Sequence, residues 1–222
     1  MVIRKAGIGL IGTNGTSKAL DTVEPSSGAD EFISYQEPYT ALVRVRGTAA
    51  LLFHRWNNES VAEKAAAAKG SKAKKTDDVE SYVYRNEHGE ISIPGRYFCG
   101  SIRDAGRYIQ DPRSPRKSCM DLFKAGIVPV SDFCSLGSKD WDYLDAQRVG
   151  VQRAGITRQR PAFNKGWKTD VALAVLVPEY ISPDLLQQAI TNAGRLVGVG
   201  DFRPTYGRYV IERFEIVAGV GE

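Results

Sequence analysis

The sequence is poor in the residues that build metal centres and most acid–base sites. It holds two histidines, His54 and His88, and three cysteines, Cys99, Cys119 and Cys134, in 222 residues. No two cysteines stand at ligand spacing, so a zinc site would need all its ligands gathered from distant parts of the chain. Neither a metal nor another cofactor is expected. Cysteines so few, odd in number and widely spaced make no disulfide framework, and a reducing cytoplasm is the simpler location. No apolar run is long enough to span a membrane, so no membrane partner is expected. The segment Met1-Val2-Ile3-Arg4-Lys5-Ala6-Gly7 lacks a sustained apolar stretch and a small-residue cleavage site, and no signal peptide is expected. There is no internal repeat and no G-x-S-x-G elbow. Asp140, Asp142 and Asp145 read as a solvated acidic edge, and Asp77-Asp78 as part of a surface loop. The net charge of +4 and pI of 8.9 permit a polyanionic partner without requiring one.

What the sequence does have is a pair of glycine-punctuated segments about a hundred residues apart. The first is Ile91-Ser92-Ile93-Pro94-Gly95-Arg96-Tyr97-Phe98-Cys99-Gly100-Ser101-Ile102-Arg103. The second runs from Gly194 to Tyr209 and includes Gly198-Val199-Gly200-Asp201-Phe202-Arg203 and Tyr206-Gly207-Arg208. Each sets backbone NH groups, arginines and aromatic rings close together. Nucleic acids are held by that mixture, NH groups and guanidinium on phosphates and rings on bases.

The rest of the chain gives these segments a frame. Residues 1–37 are rich in Gly, Ser and Thr and read as an irregular arm. Within it Gly7-Ile8-Gly9-Leu10-Ile11-Gly12 matches the letters of a dinucleotide fingerprint, but no full strand precedes it and Asn14-Gly15 breaks any following helix. A single domain is expected over 38–217, with an insertion at 57–80 and a short tail at 218–222. Tyr39 to Gly47 alternates as a half-buried strand with Arg44 and Arg46 on its open face. Thr48 to Trp56 is apolar and ends in His54-Arg55-Trp56. The insertion carries Lys69-Gly70-Ser71-Lys72-Ala73-Lys74-Lys75, either a solvated loop or a basic flap that orders on a nucleic acid.

Tyr82–Arg85 and Glu90–Ile93 flank Asn86-Glu87-His88-Gly89 as a β-hairpin. Phe98, Ile102, Ala105 and Ile109 fall at helical spacing over 96–109, with Arg96, Arg103 and Arg107 on another face. Gln147–Phe163 and Thr169–Val177 read as two long strands, the second apolar on both faces and therefore central. Ser182-Pro183-Asp184 opens a helix and Gly194 is its candidate C-cap. The last strand is expected from Tyr206 to Val217.

A plain helix-to-strand connection needs one C-cap glycine, yet the stretch from Gly194 to Gly207 has four. Extra glycines let a backbone approach a ligand, or else they occupy left-handed or tightly packed positions. The first account predicts that Gly200→Ala loses binding at unchanged stability, the second that it loses stability. His54 is a hydrogen-bonded structural histidine or an acid–base group, and the sequence leaves both open.

At these segments the chain resembles the RAMP superfamily, the repeat-associated proteins that build CRISPR effector complexes. Members carry segments like "I-P-G-S-S-L-K-G-x-L-R", and Ile93-Pro94-Gly95 to Gly100-Ser101-Ile102-Arg103 is similar. Members also carry a glycine-rich loop before the last strand that ends in Gly-aromatic-Gly-Arg, to which Gly198-Val199-Gly200 and Tyr206-Gly207-Arg208 are similar. The resemblance implies an α+β fold with a ferredoxin-like, RNA-recognition-type βαββαβ core. It implies a subunit that stacks with copies of itself along a guide RNA beside other effector-complex subunits. Some backbone subunits cut target RNA with an aspartate after the first strand. Here Gly47 to Arg55 contains none, so a non-catalytic subunit is expected.

The residues expected to meet nucleic acid, single-stranded RNA before DNA, are Arg44, Arg46, His54, Arg55, Lys72, Lys74, Lys75, Arg96, Arg103, Arg107, Gly198, Gly200, Arg203 and Arg208. Two other functions fit the same sequence. One is a phage-type single-stranded DNA-binding protein. The other is a small nuclease that uses His54 or His88 as acid or base.

Overall fold

The computed structural model describes residues 37–55, 66, 78–151 and 154–218. The arm at 1–36, most of the insertion at 57–80, and residues 219–222 lie outside them. The fold is α+β, built on antiparallel sheets. Strand β1 (Tyr39–Gly47) forms as its alternation predicts, with Ala41, Val43 and Val45 buried and Leu42 and Arg44 exposed. It is one of the two inner strands of a four-stranded sheet. The others are β4 (Ile127–Pro129), β8 (Lys168–Val175) and β9 (Tyr209–Ala218), in the order β4-β8-β1-β9. Val43 lies opposite Val171 on one side and Phe214 on the other. β8 is central, as its two-sided apolar run predicts.

Helix α1 (Gly95–Ala105) follows the short strand β3 (Ser92–Pro94), and helix α3 (Pro183–Asn192) follows β8. Both pack into one core. α1 contributes Phe98, Ile102 and Ala105; α3 contributes Leu186, Ala189 and Ile190. Ser182 caps α3, its hydroxyl accepting from the Leu185 NH at 3.3 Å. Between strand and helix elements the chain thus runs β1, α1, β4, β8, α3, β9, an arrangement compatible with a ferredoxin-like core.

Several expectations need correction. Residues 147–163 are not one strand. β6 (Tyr143–Val151) and β7 (Ala154–Phe163) pair antiparallel, with Gly150 opposite Gly155, and β2 (Leu51–Leu52) joins their far end. No regular hairpin forms at 82–93. Arg85 and Ile91 make a single bridge, Tyr82 ends a 3-10 turn, and β3 pairs instead with β5 (Phe133–Ser135). The helix predicted to reach Ile109 stops at Ala105 and tightens into a 3-10 turn over Gly106–Tyr108, where Gly106 packs against Met120 and Phe123. A short helix not predicted, α2 (Met120–Gly126), follows. Gly194 does not cap α3. The helix widens into a π turn over Ala193–Val197, Gly194 packs against Tyr209, and Gly198 at φ 76° ends the element. No helix of the described residues is long and apolar enough to cross a membrane.

Candidate nucleic-acid interface

The two glycine-punctuated segments meet in space. α1 turns its apolar face to the core and leaves Arg96, Gly100 and Arg103 on the other side, with Arg107 in the 3-10 turn that follows. The connection from Gly198 to Arg208 folds back over β2 to face them. Its backbone is stitched to β2, to the chain just before it, and to itself. The Asp201 NH donates to the Leu52 carbonyl at 2.9 Å, the Gly207 NH to Ala50 at 2.7 Å, and the Val199 NH to Gly207 at 2.9 Å.

Between helix and loop lies a cleft of about 320 Å³. Leu51, Leu52 and Ile93 give it apolar wall, Arg96, Arg103 and Arg203 give it cationic lining, and His54 adds an imidazole. A second depression of about 460 Å³ shares Asp104, Gly200, Asp201 and Arg203 and continues past Arg107 and Tyr108. Together they follow α1 from Arg96 to its end and continue along the 3-10 turn to Arg107.

The aromatic side of the cleft is organised around Tyr84. Its hydroxyl hydrogen-bonds that of Tyr97 at 2.9 Å. The Arg96 guanidinium lies 5.7 Å from the Tyr84 ring centre and 5.6 Å from that of Tyr97, and Arg55 lies 5.2 Å from Tyr84. Such stacking holds a guanidinium in place while its NH groups stay free to bind an anion. Burial pushes the Tyr97 phenol up to about 12, helped by the Tyr84 hydrogen bond, so it stays a neutral hydroxyl. Arg103 pairs with Asp104 at 2.7 Å, while among the described residues Arg96 and Arg203 have no carboxylate partner.

The acidic side is organised around Asp201. Arg160 on β7, with only 6% of its side chain exposed, donates to its carboxylate. The Arg160 guanidinium also lies 4.3 Å from the Phe202 ring centre. His54 Nδ1 stands 3.5 Å from the same carboxylate oxygen, with its ring edge-on to Tyr82 at 4.6 Å. Burial raises the Asp201 pKa, but the hydrogen bonds from His54 and Arg160 and the Arg160 charge outweigh it and hold the group down to about 2. Asp201 is therefore an anion at neutral pH, and it orients the His54 ring.

Not every expected residue belongs here. His54, Arg96, Arg103, Gly200 and Arg203 line the cleft, Arg107 its extension, and Arg55 its rim. Arg44 and Arg46 lie on the sheet face turned away from the helices. Arg44 pairs with Asp170 at 2.6 Å, and Arg46 with Glu212 at 2.8 Å, where Lys168 also reaches at 3.0 Å. Arg208 is exposed at the start of β9, its carbonyl accepting from the NH groups of Thr48 and Ala49. Lys72, Lys74 and Lys75 lie outside the described residues.

The glycines of the loop serve the chain's own packing. Gly198 and Gly200 have φ of 76° and 80°, and a Cβ on Gly200 would stand 2.7 Å from the Leu52 carbonyl oxygen. The NH groups of Gly198, Val199, Asp201 and Gly207 are spent on internal hydrogen bonds. Of the two roles left open by the glycine count, the geometry shows left-handed, tightly packed positions in a turn that presents Asp201 and Arg203.

Sequence patterns did not single out Tyr84, Tyr97, Asp104, Asp201 or Arg160 as site residues. Each tyrosine stands beside an arginine, Tyr84 before Arg85 and Tyr97 after Arg96, which was a usable signal. Nothing local announces that Arg160 meets Asp201, 41 residues later.

No protein-family model matches the chain, and no curated protein matches it in sequence. Among solved structures, a chain of the Type III-B Cmr-beta bound to cognate target RNA is similar at a TM-score of 0.50. Identity is 8%, over 82% of this chain and 61% of that one, so the present chain spans about three-fifths of that neighbour's length. Cmr6 from Pyrococcus furiosus is similar at a TM-score of 0.44, with 12% identity over 79% of this chain and 98% of that one. At such identities the likeness is one of fold, and the first structure carries it. It agrees with the resemblance to the RAMP superfamily.

Proposed function

We propose that this chain is a non-catalytic RNA-binding subunit of a CRISPR-type effector complex, assembling with copies of itself and other subunits along a single-stranded guide. The core is taken as a βαββαβ unit made of β1, α1, β4, β8, α3 and β9, with β6–β7 and the 57–80 stretch as insertions. A single domain over 38–217 belongs to the same proposal. The observation that carries it is the groove along α1. It joins Arg96, Arg103, Arg107 and Arg203 to the rings of Tyr84 and Tyr97, the combination that holds a strand by its phosphates and stacks its bases. The fold likeness to a chain of an RNA-bound Cmr-beta supports it. Nucleic acid extracted from the purified protein tests it. RNA of one discrete length supports a guide, and added RNAs of increasing length then recruit copies in whole-number steps. Sequence-indifferent coating of single-stranded DNA with no copurifying RNA would favour the phage-type DNA-binding protein instead.

A second reading rests on one observation, the orientation of His54 by Asp201 inside a basic cleft. That pairing suits a general base acting on RNA. Cleavage of end-labelled RNA that disappears in His54→Ala would establish a nuclease, and intact RNA with the wild-type protein would dismiss it.

A further inference from the structure

Gly100 sits in the middle of α1, where glycine is a poor choice. It loses more conformational freedom on folding than any other residue and contributes nothing to the helix. Natural helices keep such a glycine where something must come close. Among the glycines whose surroundings the structure describes, every other one has a positive φ or has its own chain against the place a Cβ would take. At Gly95 it is the Ser131 carbonyl, at Gly106 the Met120 backbone, at Gly126 the side chains of Val177 and Ile181. At Gly100 a Cβ would meet none of the described residues within 4 Å. The fold therefore gives no reason for the missing side chain.

The position of Gly100 supplies one. It lines the cleft, between Arg96 one turn before it and Arg103 about one turn after it. Arg96 is held over the tyrosine rings with no carboxylate partner among the described residues, and His54 and Arg203 face the helix from the far wall. We infer that the bare backbone of α1 at Gly100 is a contact surface for the sugar–phosphate chain of bound RNA, which crosses the helix there with phosphates flanking it on Arg96 and Arg103. A Cβ would intrude on the ribose where the strand lies flat on the helix. The absent side chain thus trades helix stability for ligand contact. This inference rests on the RNA-binding function proposed above.

The test uses the full chain and a fluorescent single-stranded RNA of mixed sequence, measuring affinity and melting temperature on the same preparations. Gly100→Ala is expected to melt at or above the wild-type temperature and to bind on the order of tenfold more weakly, the usual effect of one methyl forced into a filled contact. Gly100→Leu should weaken binding further while the helix still forms. Wild-type affinity in both variants would overturn the inference and leave the RNA-binding function standing. Unchanged affinity together with an altered oligomeric state would overturn it too, by assigning Gly100 to a protein contact. A wild-type protein that binds no RNA would overturn both.

Discussion

Asp201 joins the two halves of the site, because it holds Arg160 from behind and His54 in front. Asp201→Asn keeps the shape but leaves the Arg160 charge almost buried and uncompensated, with its Nη1 already lacking a hydrogen-bond partner. The expected loss is about 3 kcal/mol, the low end for a broken buried pair, since Asp201 is partly open to solvent. The pH dependence follows from the sign of the shift. A carboxyl whose pKa is lowered on folding stabilises the fold above its unfolded value, and that contribution disappears as pH falls through the folded value. For Asp201 the loss runs from about pH 4 to about pH 2. Chemical denaturation across that range should show the wild type losing stability more steeply than Asp201→Asn, and parallel curves would discard the linkage. Gly200→Ala is the companion case. With φ at 80° and a carbonyl oxygen 2.7 Å from the new Cβ, it should cost roughly 2–4 kcal/mol, while its folded fraction binds RNA normally. A variant of wild-type stability that no longer binds would instead return the loop backbone to the interface.

At the scale of the element, α1 divides cleanly between fold and function. Ile102 is buried in the core, so Ile102→Ala should lower stability by about 2–5 kcal/mol. Arg96 is exposed on the opposite side, and Arg96→Ala should change stability by no more than about 0.5 kcal/mol while weakening RNA binding. Melting both variants beside a binding assay checks the division, and a strongly destabilised Arg96→Ala would undo it. This helix was legible in the sequence because each face carries its own period, apolar residues on one and arginines on the other. β1 and β8 were legible for the same reason, alternation in one and two-sided apolar character in the other. The β6–β7 ribbon was not. Its strands are polar on much of their surface, so their alternation runs on without a change of pattern at the reversal. α2 has seven residues, too few to display a helical period. The glycine loop was legible as a segment but its purpose was left open, because a glycine needed for a positive φ and one needed for ligand approach look identical in one dimension. The pairing of Arg160 with Asp201 depends on tertiary closure, which no local pattern encodes.

At the scale of the whole molecule, arginine is placed on two faces with different electrical character. On the open face of the sheet, Arg44 and Arg46 are balanced by Asp170 and Glu212. Hydrogen bonding and charge from Arg44 hold the Asp170 carboxyl below its usual range, and Lys168 and Arg46 do the same for Glu212. An RNA phosphate there would have to displace a carboxylate already in place. In the groove beside α1, Arg96 and Arg203 have no such competitor among the described residues, so binding there releases counterions without breaking ion pairs. The two faces should separate in a salt titration. For single strands the logarithm of affinity falls by about 0.7 per phosphate contact for each tenfold rise in salt. Arg96→Ala and Arg203→Ala should each weaken RNA binding and flatten that slope by about one contact's worth. Arg44→Ala and Arg46→Ala should leave both affinity and slope near wild type. If the sheet-face variants flatten the slope and the helix-face variants do not, the RNA lies across the open sheet and the groove along α1 is not its track.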